Sequence, residues 1–153
     1  MRFVKPAVAV SVLILLLVSS AVAADEPERA AEAAAKSWVT LLDEGKYAQS
    51  WEQGSSIFHK GSKQTWVNAV QQIRGRTGKV VSRELVDARQ VTPKSESEAS
   101  KGSNGSFVIV RYRTQFASAP PALEIVTMIK EGDVWKTMGY KMDKVPGDKP
   151  APR

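Results

Sequence analysis

SFVIVRYRTQF, residues 106–116, alternates without a break. Val108, Val110, Tyr112, Thr114 and Phe116 fall on one side of an extended chain. Phe107, Ile109, Arg111, Arg113 and Gln115 fall on the other. A strand with one mainly apolar side has to cover it, so this stretch predicts a sheet with one face on a core. The residues after it are of the same kind. Pro120-Pro121 marks a turn, Leu123 to Lys130 reads as the next strand, Glu131-Gly132-Asp133 as a hairpin turn and Val134 to Met142 as the last strand. Upstream, Val80 to Val91 is rich in β-branched residues and reads as a strand, although its alternation is muddled. Between it and residue 106, "TPKSESEASKGSNG" (residues 92–105) is polar and has no apolar surface to bury, so it reads as a hairpin loop. No connection between strands is fit to hold a crossover helix, so antiparallel pairing is expected.

The preceding residues have a helical period. Asp25 is placed to cap, with Glu28 three residues on and Pro27 in the first turn. Ala31, Ala34, Ala35, Trp38, Leu41 and Leu42 then recur at three- and four-residue spacing, and Gly45 is a stop. A second short helix is expected from Tyr47 to Gln53, broken by Gly54, Ser55 and Ser56. A third is expected from a Ser62 cap, with Trp66, Val67, Val70 and Ile73 on its apolar face, ending before Gly75 and Gly78. Three helices followed by four strands predict an α+β fold, with N-terminal helices packed on one face of a curved four-stranded antiparallel sheet.

The chain begins as an export leader would. Arg2 and Lys5 precede an apolar run from Ala7 to Val18, and Ala21-Val22-Ala23 forms an A-x-A site. The run is short for a membrane span, which takes about 20 apolar residues. The expected organisation is a leader at 1–23, one domain at 24–143 and a disordered tail at 144–153. The expected address is a bacterial periplasm, or the medium, with no stable membrane insertion after cleavage. The chain has no cysteine, which removes thiol catalysis and thiolate metal sites. Its net charge of +6 falls to +4 once the leader takes Arg2 and Lys5 away. The cations are scattered, so a solvated surface is the reading, not a polyanion site.

Several stretches together carry a resemblance: "AAKSWVTLLDEGKYAQSWEQGSSIF", "TWVNAVQQIRGRTGKVVSREL" and "VIVRYRTQFA" with the closing "ALEIVTMIKEGDVWKTMGY". Over about residues 30–143 the chain resembles the bacterial domain-of-unknown-function family 4019. The resemblance implies an exported single-domain protein and offers no catalytic residue to carry over. The layout is also similar to the nuclear-transport-factor-2-like (cystatin-like) superfold, which hosts enzymes, binding modules and assembly domains alike.

Chemistry is sparse. One histidine and no cysteine make a transition-metal site unexpected. No D-x-D-x-D-G loop is present for calcium, and no cofactor is expected. "GRTGK" (residues 75–79) lacks the Walker spacing and follows a helix, so it reads as a stop and a turn. His59, between Phe58 and Lys60, has no carboxylate in nearby sequence to orient it and reads as a solvent-facing bystander. Glu124 has two readings. Near the start of its strand it is expected to be an exposed partner for Arg111 or Arg113. On a concave face it would enter an apolar pocket, where desolvation would raise its proton affinity.

Trp38, Tyr47, Trp51, Tyr112, Glu124, Trp135 and Tyr140 are the candidate lining of a cleft between sheet and helices; Trp66 belongs to the same aromatic set, and core packing competes for all of them. The leading functional expectation is a non-enzymatic module that binds a small apolar ligand or an envelope protein, with no catalytic residue assigned. One alternative is a small isomerase- or dehydratase-type enzyme using Glu124 with Tyr112 or Tyr140 as donor. Another is a homodimer paired through the outer sheet face around Phe107 and Ile109. Nucleic acid is not expected, because no basic cluster accompanies Arg111 and Arg113.

Overall fold

The computed structural model describes residues 26–92 and 107–147. The leader, the Asp25 cap, most of the polar loop and the last tail residues lie outside the described residues. The element order is α1 (Glu26–Asp43), α2 (Tyr47–Glu52), a 3₁₀ turn (Phe58–Lys60), α3 (Lys63–Thr77), β1 (Val80–Val91), β2 (Phe107–Phe116), β3 (Ala122–Glu131) and β4 (Val134–Lys144). The strands form one antiparallel sheet in the order β1-β2-β3-β4, curled but not closed. The expected α+β architecture is the observed one.

The alternation of β2 decides which face is covered. Val108, Val110, Tyr112, Thr114 and Phe116 are buried, and each meets a core-facing residue of β1 or β3 in register. α1 lies across this face and buries Ala31, Ala35, Trp38, Val39, Leu41 and Leu42. Its small Ala31 and Ala35 let helix and sheet approach closely. α1 ends in a Schellman closure, with the Lys46 N–H on the Leu41 carbonyl and the Gly45 N–H on that of Leu42. Gly45 supplies the left-handed φ of 73° that this closure needs. The Glu28 carboxylate accepts from the Gln90 N–H at 2.9 Å, tying the first turn of α1 to β1.

Two helix details differ from the sequence expectation. α3 runs through Gly75 and stops only at Gly78, whose φ of 72° ends it. A lone glycine costs a helix about 1 kcal/mol, too little to stop one that is anchored by packing on both sides. Ile73 faces outward, and the buried residues of α3 are Val70 and Arg74.

The muddled alternation of β1 has a physical cause. Val80 opposes Phe116 and Ser82 opposes Gln115, which leaves Val81 unopposed; Leu85 opposes Tyr112 and Asp87 opposes Arg111, which leaves Val86 unopposed. Each extra residue is a β-bulge that shifts the phase of the pattern by one. The other edge strand, β4, carries an irregularity at Met138, between the pairs Met128–Thr137 and Thr127–Gly139. There the chain after α2 crosses it: the Ser55 N–H donates to the Thr137 carbonyl at 2.8 Å, and Gly54 bridges to Thr137. The Ser56 N–H and hydroxyl both donate to one Glu131 oxygen, at 2.8 and 2.6 Å.

Gly54 makes this crossing close. A Cβ there would lie 2.5 Å from Cδ1 of Phe58, and Phe58 is packed edge-on against Trp38 and Trp66, with ring centroids 5.9 and 4.9 Å away. Gly54→Ala should therefore destabilise the protein by about 1–3 kcal/mol through overpacking, read as a lower thermal midpoint. An unchanged midpoint would mean that Phe58 yields freely.

Candidate functional site: a caged carboxylate

Five elements of the fold converge on Glu124. Asp43 closes α1, Arg74 sits in the last turn of α3, Arg83 lies on β1 opposite Thr114 of β2, and Tyr140 comes from β4. Glu124 itself is fully buried on β3. Its Oε1 accepts from Arg74 Nη2 at 2.9 Å and from the Tyr140 hydroxyl at 2.6 Å. Its Oε2 accepts from Arg83 Nε at 2.8 Å and from the Thr114 hydroxyl at 2.5 Å. A carboxylate offers about four lone-pair positions, and all of them are engaged. Arg83 then forks onto Asp43, at 2.6 and 2.9 Å. Arg74 also approaches Asp43, at 3.4 Å. Two cations therefore face two anions. The cluster meets solvent through Asp43, whose side chain is 25% exposed.

Both sequence readings of Glu124 are corrected by this arrangement. It is not an exposed partner for Arg111 or Arg113, because its side chain lies on the core face; Arg111 pairs with Asp87, its register partner on β1. Nor is its proton affinity raised. Burial pushes the carboxyl upward, but the charge of Arg83 and the hydrogen bonds from Arg83, Thr114 and Tyr140 outweigh it and hold the group below its ordinary value. Tyr140 is affected in the opposite sense: burial first, then the neighbouring Glu124 charge, raise its phenol and keep it a donor. Burial, followed by the charge of Glu32, raises Tyr112 as well.

Beside the cage the interior is filled by rings. Trp38 lies 5.7 Å from both Trp66 and Tyr140, and Tyr140 lies 6.1 Å from Trp66. Ser50, fully buried, satisfies two indoles at once: the Trp38 N–H donates to its carbonyl at 2.8 Å and the Trp66 N–H to its hydroxyl at 3.0 Å. Of the expected cleft residues, Trp38, Tyr112, Glu124 and Tyr140 come together in this interior. Tyr47 and Trp135 are half-buried and pack against its margin. Trp51 faces elsewhere and stacks on His59, centroid to centroid 4.3 Å. His59 is exposed as expected, yet held: its Nε2 lies 2.7 Å from the Trp51 carbonyl and must donate to it, which fixes the ring tautomer.

Sequence reasoning missed Asp43, Arg74, Arg83 and Ser50. Arg74 had a visible signal, since Trp66, Val70 and Arg74 recur every four residues and put a charge on the apolar stripe. Arg83 had none, because the bulge at Val81 hides its face. One guanidinium nitrogen of Arg74, Nη1, is buried without a hydrogen-bond partner. Its guanidinium carbon lies 5.3 Å from the centre of the Phe116 ring, whose face compensates part of the cost. Among the described residues no group of three or more His, Asp or Glu side chains is placed to hold a metal ion. No described helix is long and apolar enough to cross a membrane.

The fold and its interior thus define an α+β domain closed around a neutral, buried ion cluster. Residues 34–140 match the family described as Protein of unknown function (DUF4019), and the chain belongs to that family. No curated protein matches it. Among solved structures it is similar to that described as "Structure of Bdellovibrio bacteriovorus Bd1075", at 10% identity and a TM-score of 0.47; the match covers 74% of this chain and 38% of that one.

Removing one partner of a buried ion pair costs about 3–5 kcal/mol, so Glu124→Gln should lower the thermal midpoint by roughly 10 °C or more. The pH dependence has a definite sign. A carboxyl held below its ordinary value of 4.5 gives its full stabilisation above that value and loses it as pH falls through the folded value. Phenols raised above 10.0 stabilise below that value, and the contribution is lost as pH rises beyond it. Midpoints measured across pH should fall on both sides, and Tyr140→Phe should weaken the alkaline fall. An acid limb of unchanged size in Glu124→Gln would assign that limb to other carboxylates.

Proposed function

We propose that the protein is an exported, non-enzymatic binding module that holds an apolar ligand or an envelope protein beside the cleft, not a catalyst working through Glu124. The observation that carries this reading is the filled cage. A general base needs a free lone pair and a proton affinity near the working pH; Glu124 has four donors on its two oxygens and a lowered proton affinity. Trp38, Trp66 and Tyr140, expected to line a cleft, pack on one another instead, which favours recognition at the surface. Helices followed by a curled sheet support placement in the nuclear-transport-factor-2-like, cystatin-like superfold. The basic, apolar and A-x-A pattern of residues 2–23 supports export to the periplasm.

The test compares binding with stability. Crosslinking in intact cells followed by mass spectrometry identifies what the protein holds. Glu124→Gln, assayed per folded molecule at a temperature below its midpoint, should then bind as the native chain does. A turnover activity of the native chain that is lost per folded molecule in that variant, at a temperature below its midpoint, would overturn the reading in favour of acid–base catalysis. Export has its own readout: the periplasmic form should begin at Ala24, and Ala23→Asp should leave the leader attached. A cytoplasmic chain beginning at its initiator residue would contradict export.

A further inference from the structure

We propose that the free edge of β1 pairs with β1 of a second copy, antiparallel about a two-fold axis, in the register that sets Glu84 against the partner's Arg89. The inference stands apart from the binding reading above, because it rests on a different surface.

β1 is an edge strand, and among the described residues it pairs only with β2. Its exposed apolar side chains are unusual for an edge. Val81 is 66% and Val86 53% exposed, and Leu85 and Val91 are also exposed. The opposite edge is not equivalent, since the chain around Gly54–Ser56 straps β4 at Thr137 and is tied to Glu131 at the end of β3. Pairing through β1 therefore uses up the open edge of each copy and closes as a dimer, as an isologous contact does.

The backbone is in phase for such pairing. The Gln90 N–H bonds to Glu28 instead of to β2, so at this residue the polar groups face the free edge. Gln90, Ala88, Leu85 and Arg83 oppose Val108, Val110, Tyr112 and Thr114, which are alternate residues of β2. All four therefore share that orientation. Glu28 already occupies the Gln90 amide, which leaves Leu85 and Ala88 at the centre as the donors and acceptors an added strand would use.

Faces and charges then select one register. Arg83, Leu85, Ala88 and Gln90 belong to the core face, while Ser82, Glu84, Asp87, Arg89 and Val91 belong to the outer one. With the axis beside Val86, two registers keep like faces together. One opposes Glu84 to Asp87 twice, which is repulsive. The other opposes Leu85 to Ala88, Ser82 to Val91 and Glu84 to Arg89 twice, and brings the two Val86 side chains side by side. Arg89 can serve: its side chain is 71% exposed and its ion pair to Asp87 runs through Nε, at 2.8 Å. The seam is short, so the dimer is reversible.

Sedimentation of the chain as it accumulates in cells expressing the full sequence should show a concentration-dependent dimer. Glu84→Arg should weaken it roughly tenfold or more, since two attractive cross-strand pairs become repulsive, and Glu84→Arg with Arg89→Glu should recover most of the loss. Ala88→Pro should abolish dimerisation and keep the monomer's circular dichroism, because proline there removes an N–H that β2 does not use. Hydrogen exchange of the native chain tests the same seam without a variant: the Leu85 and Ala88 amides should be protected at high concentration and exchange faster on dilution. A monomer at every concentration overturns the proposal. So does a dimer that ignores both Glu84→Arg and Ala88→Pro, or one whose Leu85 and Ala88 amides exchange at the same rate throughout.

Discussion

A fully buried glutamate is the constraint around which the domain is arranged. An ionised carboxylate taken out of water loses several kcal/mol of hydration, and only close, well-aimed donors restore it. Here the donors come from α3, β1, β2 and β4, so no single hairpin or helix pair can satisfy Glu124. Asp43, at the end of α1, completes the charge balance by holding Arg83 in a two-point fork. Replacing such a cluster with apolar groups can leave stability unchanged; what it supplies is a penalty for any arrangement in which one of these elements is out of place.

The aromatic interior extends the same logic into neutral chemistry. Trp38 and Trp66 could have been packed by area alone, but each indole carries an N–H that needs an acceptor when buried. Ser50 answers both, one through its backbone and one through its hydroxyl, and its place in α2 fixes that short helix against α1 and α3. Tyr140 joins the two halves, with its ring among the tryptophans and its hydroxyl on Glu124. The interior is thus a polar end and an aromatic end sharing one residue.

Most of the fold was legible because it is written in periods. The clean alternation of residues 107–116 became the buried face of β2, and the spacing of Ala31, Ala35, Trp38 and Leu42 became the buried face of α1. The hairpin turn at Gly132–Asp133 lies where the sequence placed it. The site was legible only in its parts. Thr114 was visible on the core side of its strand, and Glu124 and Tyr140 were named, but the pairing that gives them their state spans up to 50 residues of chain. A bulge erased the face of Arg83 from the pattern of β1, and the Gly75 stop that would have ended α3 before Gly78 did not hold. Without the two arginines, a lone acid on an apolar strand reads as either exposed or protonated, and it is neither.

The neutrality of the cluster also separates what ionic strength can reach. Mobile ions screen exposed charges over about 8–10 Å of water but act weakly on pairs shut away from it. Glu124 and Arg74 are shut away, and the cluster touches solvent at its outer end, through Asp43 and to a lesser extent Arg83. The electrostatics that hold the fold are therefore decoupled from those of its surface, where the scattered lysines and arginines lie. Salt can tune what the outside of this protein meets while leaving its interior as it was.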